Sequence, residues 1–185
     1  MQASPDATRI YPLDEFYQKA GLPLPPMTPI AGSEVPEPYR NLLVHARDMT
    51  PTLEGAYGRN IQLHVLQRSL SDGVLSREVV LIPDGSAAPA AFGVIKINLE
   101  RFSEHVRKLV LECQQPLGAI LRSEDIAHTS RPDHFFQVSA DALIQRALHL
   151  SEPCMLYGRR NVLLDGDSRT LAHVVEILPP TNGFK

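Results

Sequence analysis

The stretch that decides the fold is residues 156–179, LYGRRNVLLDGDSRTLAHVVEILP. Two runs of β-forming residues flank residues 165–168 (DGDS), a cluster typical of the turn between two antiparallel strands. The second run, residues 171–178, is apolar on both alternating faces, which indicates a strand covered on both sides. The stretch therefore predicts a hairpin whose second strand lies near the centre of a sheet.

Charged side chains interrupt the apolar rows of these strands. Glu176 lies in an aliphatic row of the second strand, where a carboxylate is costly unless it is paired, protonated or used in chemistry. Arg160 interrupts an apolar row of the first strand, and Arg77 does the same within residues 74–82. Two interpretations are open at this point: a structural ion-pair network, or a closed pocket in which arginines bind a carboxylate and Glu176 transfers a proton.

Further strands and helices are predicted upstream of the hairpin. Three runs that alternate or are continuously apolar, separated by turn-forming clusters, favour an antiparallel meander. These runs are residues 60–67, 74–82 and 91–98. Apolar residues at helical spacing follow Asn98, Pro116 and Ser139, so helices are expected to begin near each of these positions.

The chain divides into an arm, one domain and a tail. Residues 1–38 are rich in proline, which predicts a largely extended, irregular arm with one short helix at residues 13–20. Residues 39–180 are predicted to form a single α+β domain, with a mainly antiparallel sheet of five to six strands and flanking helices. Residues 181–185 are left as a C-terminal tail.

Composition narrows the class of partner. The chain has 185 residues and a formal net charge of −3, so nothing in it attracts nucleic acid or an anionic membrane in general. No apolar run approaches the roughly 20 residues that cross a bilayer, and no secretory signal is visible. The two cysteines and the histidines show no metal-type spacing. We expect a cytoplasmic protein with reduced thiols, a small-molecule partner and no metal or other cofactor.

A set of short motifs points to a family. In chain order these are LL at 42–43, DMT at 48–50, REV at 77–79, PLG at 116–118, LYGRR at 156–160 and EILP at 176–179. Together they resemble the chorismate lyase (chorismate–pyruvate lyase) family over about residues 40–180. The resemblance implies an antiparallel sheet with a ligand buried beneath helical flaps. It also implies that chorismate loses pyruvate and leaves 4-hydroxybenzoate, without a cofactor.

The resemblance also implies roles for individual residues. Arg77 would bind the ring carboxylate, and the backbone around Met49 would contact the same group. Leu117 would line the pocket, and Glu176 would handle the 4-oxygen end and the proton transfer. To these we add Arg160, from the pattern of inward charges, as a substrate-binding residue.

The chain also departs from the family pattern. Asp48 replaces the family's serine and brings a charge beside the carboxylate end, where it is a further candidate for substrate binding. Residues 123–138, which include His128, Arg131 and His134, fit the familiar enzyme poorly. Three alternatives therefore stay open: a lyase acting on chorismate or a relative, a non-catalytic module that binds small aromatic carboxylates, and a purely structural protein. The same fold serves as the ligand-sensing domain of GntR-type regulators, whose DNA-binding helix-turn-helix the arm cannot form. The oligomeric state is open too.

Overall fold

Seven antiparallel strands form one sheet in the computed structural model, which describes residues 10–181. The strands are β1 (Met27–Ile30), β2 (Ile61–Ser71), β3 (Val74–Pro83), β4 (Ala91–Asn98), β5 (His128–Ser139), β6 (Met155–Asp165) and β7 (Thr170–Leu178). Their spatial order is β1-β5-β6-β7-β4-β3-β2. The predicted hairpin is confirmed as β6–β7, and β7 is the middle strand of the sheet.

Six α-helices flank the sheet within the described part of the chain. They are α1 (Leu13–Ala20), α2 (Tyr39–Leu43), α3 (Met49–Tyr57), α4 (Glu104–Glu112), α5 (Leu117–Ser123) and α6 (Ala142–Leu148). The predicted helix at residues 13–20 is confirmed. The helix expected after Asn98 begins later, at Glu104, because the Ser103 hydroxyl caps it by accepting a hydrogen bond from the Val106 amide. None of the helices between residues 10 and 181 is long and apolar enough to cross a membrane.

The first face of the sheet packs against α1 and α6. Leu13 and Tyr17 of α1 and Ile144 of α6 join a buried cluster with Phe92 and Ile177 of the central strands. This packing covers one side of β4 and β7 with hydrocarbon, as the apolar rows of residues 171–178 predicted.

The second face packs against α4 and α5, with α3 beside them. Val110 of α4 and Leu121 of α5 are fully buried against Ile97 and Ala172 of the sheet. The first residues of α3 and α5 lie over this same face, next to β3, β4, β6 and β7. The site described below lies between them and the strands.

The number of strands exceeds the expected five or six. Residues 27–30 lie in the proline-rich segment, yet they pair with β5 as an edge strand. An edge position tolerates Pro29, since that side of the strand needs no further hydrogen bond. The predicted tail, residues 181–185, lies outside the described residues except for Thr181, whose amide donates to the Tyr39 hydroxyl at 3.2 Å.

Gly158 marks a close approach in β6. A methyl group there would lie 2.5 Å from the Phe136 ring and 2.8 Å from the Glu176 carbonyl oxygen. We expect Gly158→Ala to lower the free energy of unfolding by about 1–3 kcal/mol, because overpacking forces the backbone or ring to move. Urea denaturation measures this. Gly166→Ala is the control, since nothing lies within 4 Å of its added methyl group, and equal effects of the two variants would contradict the expectation.

Candidate functional site

A pocket of about 70 Å³ lies between the second face of the sheet and the first turns of α3 and α5. The volume is several times the roughly 10–15 Å³ that one water molecule requires. Most of the wall is aliphatic, including Leu63, Val79, Leu81, Ile95, Leu117, Leu163 and Val174. The polar side chains in the wall are Asp48, Thr50, Arg77, Asn161 and Glu176.

Arg77 is the buried cation of this pocket. It lies on β3, where only 1% of the residue is exposed. Its Nε and Nη1 atoms have no hydrogen-bond partner among the described residues. Burial lowers the pKa of the guanidinium, while the neighbouring Cys113 thiol opposes that shift. The group stays protonated at neutral pH, so the wall of the pocket contains a positive charge with free donors.

Glu176 is paired with a different arginine. Its Oε2 atom accepts a hydrogen bond of 2.6 Å from Arg159 Nε, and the Arg159 side chain is 0% exposed. The other nitrogens of Arg159 donate to the carbonyl oxygens of Leu43, His45 and Arg47 at 3.1–3.2 Å. Arg159 therefore neutralises Glu176 and fastens the α2–α3 loop to the sheet. Glu176 is thus a paired carboxylate, which is one of the states in which a charge among aliphatic side chains is tolerated.

Arg160 does not lie in the pocket, where the sequence pattern predicted it. Across the hairpin, Arg159 is opposite Glu176, and Arg160 is opposite Val175. Directly opposite residues share a face of the sheet, so Arg160 points away from the pocket and pairs with Asp133 at 3.2 Å. The prediction of Arg160 as a substrate-binding residue is corrected: Arg160 does not line the pocket, and Arg159 is the arginine beside Glu176.

Asp48 and His128 form a hydrogen-bonded pair at the edge of the pocket. His128 Nε2 lies 2.7 Å from Asp48 Oδ2, and His128 Nδ1 lies 2.9 Å from the Ile126 carbonyl oxygen. A carboxylate and a carbonyl oxygen are both acceptors, so this arrangement favours the imidazole that carries a hydrogen on each nitrogen and a positive charge. Burial alone lowers the pKa of His128, but the two hydrogen bonds and the Asp48 charge outweigh it and raise the pKa above 6.5.

The raised pKa of His128 predicts a pH-dependent contribution to stability. A group with a higher pKa in the folded state stabilises fully below its unfolded pKa and loses that effect as the pH rises through the folded value. We expect the difference in unfolding free energy between wild type and His128→Gln to be of the order of 1 kcal/mol at about pH 5.5 and to fall above about pH 6.5. Urea midpoints at several pH values measure it. A difference that is constant or grows toward alkaline pH would contradict the charged pair.

The structure brings most of the predicted site residues into one place. Met49, Arg77, Leu117, Glu176 and Asp48 all line the pocket. Arg160 does not. Sequence reasoning gave no role to two residues that contribute to the site, although the first of them lies in the LYGRR motif. These are Arg159, which pairs with Glu176, and Asn161, whose amide contacts Ser130 on β5.

The fold and the pocket define a class of protein: a one-domain α+β protein with a small, mainly aliphatic pocket on one face of its sheet. No protein-family model and no curated protein matches the chain. Several solved structures are similar to it. The effector domain of PhnF from Mycobacterium smegmatis has a TM-score of 0.55 and 18% identity, over 73% of this chain and 90% of that domain.

Two further structures have the same architecture. PhnF from Mycobacterium smegmatis has a TM-score of 0.52 and 16% identity, over 92% of this chain and 95% of that chain. The other is the ligand-binding domain of a protein from Bordetella bronchiseptica that is described as a GntR-family transcriptional regulator. It has a TM-score of 0.50 and 12% identity, over 68% of this chain and 90% of that domain. At such identities the likeness concerns the fold. The chain has the chorismate lyase-like α+β fold of these domains.

Proposed function

We propose that this protein binds a small aromatic carboxylic acid in the pocket, with the carboxylate on Arg77. The observation that carries the proposal is the state of that side chain: it is 1% exposed, and two of its nitrogens lack partners among the described residues. A buried charge without a partner costs several kcal/mol. A carboxylate can bind either fork of the planar guanidinium, Nε with Nη2 or Nη1 with Nη2, and so would give a partner to one of the two unpaired nitrogens.

The rest of the pocket favours a monoanion with a flat apolar body. Val79, Ile95 and Val174 belong to neighbouring strands of the sheet and form an aliphatic wall. An aromatic ring can lie against such a wall, whereas a sugar would leave several hydroxyl groups unpaired there. Glu176 is already neutralised by Arg159, so Arg77 is the free cation among the described residues of the wall and fits one negative charge.

The shared fold supports binding. Two of the similar structures are named as an effector domain and a ligand-binding domain. In the second of these proteins the same sheet and helices thus belong to a domain that is named for binding a ligand. We extend that role to this chain because its own pocket contains an unpaired buried cation.

A second candidate function is pyruvate elimination from chorismate. Its specific support is that Met49, Arg77, Leu117 and Glu176, the four residues implied by the resemblance, line one pocket. In this reaction the ring loses its hydrogen at C4, the enolpyruvyl methylene gains a proton, and the ether bond breaks to give 4-hydroxybenzoate and pyruvate. A single carboxylate can take the first proton and deliver the second, and aromatisation of the ring drives the reaction forward.

One pair of measurements tests both candidates. Calorimetry and thermal unfolding with benzoate and 4-hydroxybenzoate test binding, since a ligand at 100 times its Kd stabilises by about 2.7 kcal/mol. Pyruvate release from chorismate tests turnover, with Glu176→Gln as the variant expected to abolish it. Binding without pyruvate establishes the binding module, and pyruvate release establishes the lyase. If neither acid binds, the proposal is wrong.

A further inference from the structure

Two unpaired acceptors lie across the pocket from Arg77. A cross-strand row runs from Arg77 through Ile95 and Val174 to Asn161. Three strand spacings separate its ends, or roughly 14 Å between backbones. Asp48 lies on the Asn161 side, since its carboxylate contacts His128 on β5, the strand next to β6. This corrects the expectation that Asp48 lies beside the carboxylate end of the ligand. The two sides of the pocket therefore differ in chemistry: donors at β3 and acceptors near β5 and β6.

The hydrogen bonds around Asn161 fix the orientation of its amide. The Ser130 hydroxyl donates its one hydrogen to the Arg47 carbonyl oxygen at 3.3 Å, so it can only accept from Asn161. The atom that faces Ser130 at 2.9 Å must then be Nδ2. Oδ1 is left buried, without a hydrogen-bond partner among residues 10–181, on a side chain that lines the pocket.

Asp48 presents a second acceptor. The Oδ2 atom of Asp48 is hydrogen-bonded to His128. The Oδ1 atom is buried and has no hydrogen-bond partner within the described chain. Asp48 also lines the pocket. A buried acceptor without a donor destabilises by about as much as a lost hydrogen bond. Two such acceptors in one small pocket indicate that the missing donor belongs to the ligand.

We infer that the ligand carries a hydrogen-bond donor, an amino or a hydroxyl group, on the side opposite its carboxylate, and that Asp48 and Asn161 accept from it. The inference rests on the proposed carboxylate binding and narrows it to hydroxy- or amino-substituted acids. It also assigns Asp48 and Asn161 as specificity-determining residues. A site built to accept from a donor strongly rejects an isostere that lacks one, because its own polar atoms then stay unpaired.

A panel of matched ligands tests this by calorimetry on the whole protein. The 3- and 4-isomers of hydroxybenzoate and aminobenzoate supply the donor. The corresponding methylbenzoates have the same shape without it, and benzoate reports the carboxylate alone. We expect at least one donor-bearing acid to bind roughly tenfold or more tightly than its methyl isostere, and the preferred isomer distinguishes amine from hydroxyl.

Two variants assign the preference to residues. Asn161→Leu and Asp48→Asn are each expected to reduce the ratio of affinities between the donor-bearing acid and its methyl isostere several-fold, because each removes an acceptor that only the donor-bearing acid uses. Thermal unfolding without ligand checks that each variant is folded. If a variant does not fold, the affinities of the wild-type protein for the ligand panel still decide the inference.

The outcomes separate this inference from the function on which it rests. If benzoates bind with equal affinity whether or not they carry a donor, Asp48 and Asn161 do not select the ligand, and carboxylate binding stands. If no member of the panel binds, the proposed function is wrong and the inference is overturned with it.

Discussion

Replacing Arg159 with methionine is expected to lower the free energy of unfolding by about 3–5 kcal/mol, the usual cost of removing one partner of a buried ion pair. The side chain is 0% exposed and lies 2.6 Å from Glu176. Its loss leaves a carboxylate buried without its counter-charge. It also removes the donors to the carbonyl oxygens of Leu43, His45 and Arg47, so the α2–α3 loop loses its attachment to the sheet.

The neighbouring arginine provides a matched control. Arg160→Met removes the same charge one residue away, but the Arg160 side chain is 23% exposed and its partner Asp133 lies at 3.2 Å. Such a pair contributes about 0–1 kcal/mol. Urea denaturation of both variants, and of Arg159→Met combined with Glu176→Gln, measures the difference. The double variant should recover part of the loss. Equal effects of the two single variants would show that Arg159 is not the buried partner of Glu176.

A β-bulge explains why the sequence pointed to Arg160 and the structure to Arg159. Near the turn, Leu164 lies opposite Thr170, but Leu163 lies opposite Ala172, so Leu171 is the extra residue. Without it, Arg160 would lie opposite Val174 and share a face with Glu176. A slip of one residue moves every side chain of a strand to the other face. The apolar pattern predicts the strands and the hairpin, but it does not contain the bulge.

Other features were visible in the sequence to different degrees. Arg77 and Glu176 could be predicted because each interrupts an apolar row, and the two do line one pocket. The contact between Asp48 and His128 could not, since these residues are 80 positions apart and only the folded sheet brings them together. Asn161 gave no signal either, because a polar residue in a strand is usually solvent-facing. Its role depends on Ser130 of the next strand.

The charge of Arg77 predicts opposite effects on binding and stability. Arg77→Met is expected to weaken binding of benzoate and 4-hydroxybenzoate by roughly 100-fold or more, since each charge-assisted bond contributes about 1.5–3 kcal/mol. Without ligand, the same variant is expected to be as stable as wild type or more stable. The reason is that methionine fills the space while removing a buried cation whose Nε and Nη1 have no partners among the described residues.

Arg77→Lys separates charge from geometry. It keeps the positive charge but loses the planar fork that binds two carboxylate oxygens, so we expect an affinity between those of wild type and Arg77→Met. Calorimetry gives the affinities, and urea denaturation of the ligand-free variants gives the stabilities. If Arg77→Met destabilised the protein as strongly as Arg159→Met and left affinity unchanged, Arg77 would be a structural residue. A loss of binding with no loss of stability would instead mark a charge that the fold retains for its ligand.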